Sequence, residues 1–550
     1  MLKTNFIRQP MSTLPKITPP DDQQFDLFHG LPVDARKPVL RTALDSGRRF
    51  VTGDPKAIFL GTTPLPDYLK QAGQLAAFTV ASLLDQQDWS FFEGRYAATG
   101  RAPYSPRLMV GLILYGVMQG VHSLRDLERL GRLDLGCMLV TGGITPDHTN
   151  IGRFIVMHEE SLTQDFFESL TGTIIKATGA DSTRVAGDGT VIEAACSHYK
   201  LLKEEAVRAS AEAAQRAHDN EPLNATAQRK QQTSAERVRI LEERKKARQR
   251  SGRATDTLAV SRTEPEAMVQ PLKRGRGSSP SYKPSVLANR DRIVTAMAVH
   301  PSMETKVLGA MLDQSKRATG EAVSDVLLDA GYFDDSVIAA TLERDVSLLC
   351  PEGKTPGTPK QSTAFHKSQF GYEPTTDQYR CPQGQVMVLL RSLSATPGKR
   401  AYGLYGTTAC GSCAKRADCT KTKARHIRRH PEETLRDGLR QVMEHPKARL
   451  IFSSRKAMVE PVFSHLRERQ GLNRFRRKGL QQVKREFALH ILAHNLSRAV
   501  ALLRAISTHF PALYGRFGAV VSMFSVLLTR QMSRFEPDQH FCRTLTAGSK

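Results

Sequence analysis

The chain is short of several things. It holds one tryptophan and eight cysteines in 550 residues. So few cysteines in so long a chain exclude a secreted scaffold built on disulfides. No apolar run approaches the roughly eighteen residues that a spanning helix needs, so no membrane segment is expected. The first residues carry neither the short apolar core nor the small-residue cleavage site of a signal peptide, and a cytoplasmic protein is expected. Acid is scarce as well. Asp and Glu total 55 against 79 Lys and Arg, a formal net charge of +24. Such a surplus favours a polyanionic partner, of which nucleic acid is the commonest. A basic, solvated surface or an anionic membrane is the plainer alternative. The length suffices for several domains and more than one core.

Against that scarcity, three acids stand in readable contexts. Asp188 lies in Arg-Val-Ala-Gly-Asp-Gly-Thr-Val-Ile-Glu-Ala. Asp329 lies in Val-Leu-Leu-Asp-Ala-Gly-Tyr-Phe. Glu460 lies in Arg-Lys-Ala-Met-Val-Glu-Pro-Val-Phe-Ser-His-Leu-Arg. Taken singly, each has an ordinary explanation. Asp before Gly makes a turn, Asp329 caps the next helix, and Glu460 before Pro461 begins one. Together, two aspartates ending apolar strands and a glutamate on a basic helix suit a nuclease that holds two hard cations. Magnesium and manganese take oxygen ligands, and a pair of such ions serves phosphoryl transfer. Gly187 and Gly189 leave room for DNA or metal beside Asp188.

The pattern along the chain divides it. Residues 1–64 read as a partly disordered leader. Residues 65–178 are helical, with Ser105 and Pro106 opening one helix and Ser123 the next. A third follows Thr145-Pro-Asp-His-Thr, capped by Thr149 or Asn150. Short helices with several arginines suit a DNA-binding module, or equally a small bundle. Residues 179–350 alternate strands and helices, in an order that suits an RNase H-like mixed sheet. That core is interrupted at about 200–275 by a charged helical insertion and the basic loop at Lys273. Residues 351–445 form a cysteine-rich insert. Residues 446–510 carry the glutamate helix, and 511–550 are a tail. The fold class is therefore α+β, mixed.

From Tyr104 to Asn495 the chain resembles the bacterial insertion-sequence transposases of the DDE class. More narrowly, it resembles the branch with a helical N-terminal domain and a cysteine-bearing insert. The resemblance rests on Tyr-Ser-Pro-Arg-Leu-Met-Val-Gly-Leu with Thr-Pro-Asp-His-Thr-Asn-Ile-Gly-Arg-Phe, and on the three acid motifs. It implies Asp188, Asp329 and Glu460 as catalytic metal ligands for two Mg²⁺ or Mn²⁺ ions. The family's glutamate helix usually bears Tyr, Arg and Lys. Here Phe452, Arg455 and Arg467 stand at those positions, and a guanidinium at 467 binds phosphate differently from an ammonium.

Cys381, Cys410, Cys413 and Cys419 form C-x28-C-x2-C-x5-C. The Cys410–Cys413 spacing lets two thiolates reach one tetrahedral zinc, which the others would complete. Reduced surface cysteines are the alternative, and the resemblance favours a structural Zn²⁺. After Glu460, Arg467 and the run Arg474, Phe475, Arg476, Arg477 and Lys478 read as a DNA contact, as do Arg455 and Lys456. Arginines neutralise phosphates, and Phe475 can stack on an unpaired base or sit in the core.

The expected protein is a nucleoid-associated enzyme acting on double-stranded DNA, both element ends and target. It would cut a strand, join the freed 3′-hydroxyl elsewhere, and work as a homodimer on DNA. An inactive DNA-binding relative and a nuclease without strand transfer are the alternatives.

Overall fold

A computed structural model describes residues 41–509, without 46–47, 98–99, 163, 198–199, 251, 253, 273–276, 354–364 and 397–400. The expected leader up to residue 40, most of the Lys273 loop, Cys542 and the tail from residue 510 lie outside the described residues. The expected leader is structured from Arg41 on. Arg41–Asp45 pairs with Arg48–Thr52 as a hairpin. Val51 N–H then donates to Pro103 O at 2.7 Å, docking the hairpin beside the helix Pro106–Met118.

Within 65–178 the expected helices form. Ser123 accepts a hydrogen bond from Asp126 N–H and caps Leu124–Leu133. Ser105 occupies the capping position of Pro106–Met118 but its side chain makes no capping bond. The helix His148–Met157 starts earlier than expected. Asp147 caps it, accepting from Asn150 N–H at 2.7 Å. A carboxylate at a helix N-terminus also meets the positive end of the dipole, so it outcompetes Thr149 and Asn150.

The central sheet has strands β1 (Arg184–Gly189), β2 (Ser278–Ala288), β3 (Val294–His300), β4 (Asp325–Leu327) and β5 (Ser347–Leu349), in the order β3-β2-β1-β4-β5. The first three pair antiparallel; β4 and β5 add in parallel. That is the order of an RNase H-like sheet. Helix α1 (Leu308–Thr319) joins β3 to β4, and α2 (Asp335–Leu342) joins β4 to β5. A parallel neighbour requires such a crossover. The C-terminal helices α3 (Arg455–Glu468) and α4 (Leu480–His509) close the other face.

One apolar core runs from the N-terminal helices through the sheet to α3 and α4. It includes Leu112, Phe167, Val286, Val459 and Phe487. Buried Asn495 on α4 pins the sheet edge. Its Oδ1 accepts from Val294 N–H at 2.8 Å and its Nδ2 donates to Val294 O at 2.8 Å. A buried backbone group left unpaired is costly, so this amide completes the ladder of an edge strand.

Two parts stand apart from that core. Helices Glu204–Asn220 and Ala225–Arg250 pack as a pair on Val207 and Leu241, with their own small cluster. Charge pairs such as Lys245–Glu204 lie along their seam. Residues 371–429 form a separate five-stranded antiparallel sheet over Phe370, Tyr379 and Tyr405. No helix among the described residues is long and apolar enough to cross a membrane.

Candidate active site

The register of β1 against β4 decides where the two aspartates emerge. Arg184 pairs with Asp325, and Leu327 with Ala186. Arg184 Nε donates to Asp325 Oδ2 at 2.9 Å, locking the first rung of the ladder. Asp188 lies four residues beyond Arg184, and Asp329 four beyond Asp325. The two acids therefore leave the sheet abreast at its carboxyl-terminal edge. A slip of one residue would turn one of them to the opposite face.

Both carboxylates converge on one cation. Arg455, at the start of α3, is 6% exposed. Its Nη2 lies 3.2 Å from Asp188 Oδ1 and 3.7 Å from Asp329 Oδ2, and donates to Gly187 O at 3.1 Å. The backbone also holds the acids. Gly189 N–H donates to Asp188 Oδ1 at 2.9 Å. Gly331 N–H donates to Asp329 Oδ1 at 2.9 Å, so Asp329 also caps the short turn Ala330–Tyr332. Cys350 donates its thiol hydrogen to Asp329 O at 3.1 Å. Burial pushes that thiol up to about 12, with the Asp329 charge adding to the effect, so it stays protonated.

Arg455 was expected to hold phosphate. The structure corrects this: the guanidinium is buried and committed to two carboxylates and a carbonyl. An ion pair withdrawn from water is far harder to exchange than a surface one. The two glycines beside Asp188 also differ from expectation. A Cβ at Gly187 would overlap Leu328, and one at Gly189 would overlap Glu304. They make room for the protein's own side chains.

Glu460 lies on α3, exposed, five residues past Arg455. Five residues turn a helix by about 140° from the Arg455 direction. Pro461 sits inside the helix rather than starting it. The structure thus brings Asp188 and Asp329 together and leaves Glu460 on a different face of α3. Among the described residues, no three His, Cys, Asp or Glu side chains gather closely enough to hold a metal ion. The aspartate pair nonetheless suits a divalent cation: two hard oxygen donors share one positive charge, which the guanidinium carries here.

The basic segment after α3 divides in two. Phe475 was expected to stack on a base. It is 1% exposed and packs edge-on against Tyr282, centroids 6.1 Å apart. Its N–H donates to Glu193 O at 2.8 Å, which fixes the ring inward. Arg474 is occupied too, with Nε donating to Ala194 O at 2.9 Å and Nη2 to Cys196 O at 2.7 Å. Arg467 donates to Thr190 Oγ1, tying α3 to the end of β1. Lys456, Arg476 and Lys478 are exposed, and Arg477 is half-buried.

The four cysteines line one cavity of ≈ 30 Å³, about the space of one ion or water. Burial raises the Cys419 thiol above its ordinary value; Arg425 opposes this, and Cys410, Cys381 and Cys413 add to it. Two tight turns present the sulfurs, Gly384 N–H donating to Cys381 O and Arg416 N–H to Cys413 O. Cysteine sulfurs are the donors zinc takes, but among the described residues these four do not gather closely enough to hold an ion.

Comparison with known proteins adds the family. Residues 380–500 match the family model described as a transposase DDE domain. Residues 72–156 match the one described as a transposase domain, DUF772. No curated protein and no solved structure matches the chain. The two matches lie on either side of the aspartate-bearing sheet in sequence, and together they support an insertion-sequence transposase of the DDE class.

Proposed function

We propose that the protein binds the terminal inverted repeats of its element and carries out metal-dependent strand cleavage and strand transfer. The observation that carries this reading is Asp188 and Asp329 held abreast around one buried positive charge. Asp188 and Asp329 would hold Mg²⁺ or Mn²⁺; Glu460, the third acid of the pattern, would complete the set once α3 presents that face to the bound DNA end. Bound there, the ions supply activation of the attacking oxygen and stabilisation of the leaving oxygen. The protein's own part is positioning. The sheet fixes the two carboxylates, and Arg455 balances their charge and holds their rotamers. Exposed Lys456, Arg476 and Lys478, with Arg477, would neutralise DNA phosphates. Water attacks first, freeing a 3′-hydroxyl; that hydroxyl then attacks the target at the same carboxylates. Two ends must be held at once, so the working form is a homodimer on DNA. Drawn closer together, the four cysteines would bind structural zinc.

The test is cleavage of a DNA duplex carrying an element end, with Mg²⁺. Asp188→Ala should abolish cutting while retaining binding. Undiminished cutting by that variant would remove the assigned site. Joined products separate a transposase from a simple nuclease.

A further inference from the structure

The sheet of residues 371–429 has two unlike faces. On one, Tyr379, Tyr405 and Ile427 are buried in its small core. Arg429 belongs to that covered face. Its guanidinium lies 3.5 Å from the Tyr372 ring centroid, and its Nη1 2.7 Å from Asp437 Oδ2. The other face is open, and strand register decides what it carries. Arg391 of Val386–Leu393 pairs with Leu404 of Tyr402–Gly406, and Leu404 pairs with Arg428 of Ile427–Arg429. Residues directly opposite across a ladder share a face. Two arginines therefore stand abreast with Leu404 between them, their backbones two strand spacings or about 10 Å apart.

They line a groove of ≈ 670 Å³ with Tyr402, Arg425 and His426. Gly406 lets its walls approach, since a Cβ there would stand 2.7 Å from Leu390 Cδ1 and 3.0 Å from His426 Cδ2. The Arg428 guanidinium lies 5.0 Å from the Tyr402 ring centroid, a contact that holds it over the groove. Arg391, His426 and Arg428 are exposed. No acid lines the groove. From Val386 to His430 the chain has ten Lys and Arg and one acid, Asp418, which pairs with Lys415. Among the described residues, no carboxylate pairs with Arg391, Arg425 or Arg428. One sign of charge beside apolar walls, Leu390 and Leu404, focuses the field and draws in a polyanion.

The groove is also fixed to the edge of the central sheet where Asp329 emerges. The helix Glu433–Glu444 follows the strand of Arg428. Its Arg436 donates to Asp335, at the start of α2, at 2.5 and 2.9 Å. Its Arg440 donates to Glu352, just past β5, at 2.7 and 2.8 Å.

We propose that this open face of the insert binds the phosphate backbone of duplex DNA, as a second interface beside the basic segment after α3. The inference rests on the reading above that the chain acts on DNA. Arg391 and Arg428 make the phosphate contacts, which are indifferent to base sequence.

Fluorescence anisotropy of the full chain with a labelled DNA duplex of mixed sequence, over a series of salt concentrations, tests this. Each phosphate contact adds about 0.9 to the slope of log affinity against log salt. The double variant Arg391→Gln, Arg428→Gln should lower that slope by about 1.8 and weaken binding about tenfold or more at about 0.1 M salt. An unchanged urea midpoint checks that the variant is folded. Wild-type slope and affinity in the variant overturn the groove and leave the DNA reading standing. Weaker binding at an unchanged slope also overturns it, because the lost contacts are then not to phosphate. A wild-type chain that binds no duplex overturns the DNA reading, and this inference with it. Should the double variant fail to fold, Arg391→Gln alone should lower the slope by about 0.9, and an unchanged slope refutes the proposal.

Discussion

Replacing Arg455 by methionine isolates what its guanidinium does. Methionine keeps length and apolar packing and removes the charge. In the native protein, Nη2 stands 3.2 Å from one carboxylate and 3.7 Å from the other. At an effective dielectric of about 20, those pairs attract by about 5 and about 4 kcal/mol before desolvation is counted. Desolvation of the buried guanidinium offsets much of this. Asp329 is 45% exposed, so water compensates it more readily than Asp188 at 21%. Removing one partner of a buried pair usually costs about 3–5 kcal/mol. With one acid half in water, the lower end applies, about 3 kcal/mol. The loss should depend on cations. Without the guanidinium, two carboxylates repel across the gap, and Mg²⁺ at millimolar concentration supplies the missing charge. Binding to the folded state alone stabilises it by mass action. The assay is urea unfolding of wild type and Arg455→Met, in chelator and in Mg²⁺. The expected result is a large gap in chelator that narrows in Mg²⁺. Equal stability in chelator, or a gap indifferent to Mg²⁺, would refute the reasoning.

Other consequences follow from the same coordinates. His490 and His494 are fully buried, and burial pushes each down to about 3, from an ordinary value of 6.5. Unfolded histidine takes up protons below about 6.5 and the buried form does not, so stability is complete above that pH and falls as pH drops towards about 3. Each contributes about 1.4 kcal/mol per pH unit in that window. His494→Gln should therefore flatten the fall in urea midpoint between about pH 6 and pH 5; an unchanged slope would count against a neutral, buried imidazole. Phe475→Ala should destabilise by about 3–5 kcal/mol through a core cavity, and leave the DNA affinity of the folded protein intact. The reverse pattern would restore Phe475 as a base-stacking residue. Metal analysis of chelator-free protein should find about one zinc per chain, lost in Cys413→Ser. A folded wild type without zinc would sink the knuckle.

Much of the aspartate-bearing region was legible in the residues. The apolar run before Asp329 and the glycine-flanked Asp188 announce strand ends, because period and turn chemistry are local properties. The strand and helix order of 179–350 was readable for the same reason. So was a charged helical insertion after Leu201, from its strong helix formers, though not its division into two packed helices. The basic excess pointed to a polyanion without any structure.

Chain-distant geometry decided the rest. Phe475 sits among arginines in sequence, a setting that reads as a stacking platform. Only the pairing of its segment with Glu193 turns the ring into the core. Arg455 reads as a phosphate ligand until the strand ends are assembled beneath it. Local sequence determines which segments coil or extend, because backbone preference and side-chain period act over a few residues. Which side chains share a carboxylate pocket depends on strand register and on what packs above it, and those are set by the burial of the whole core.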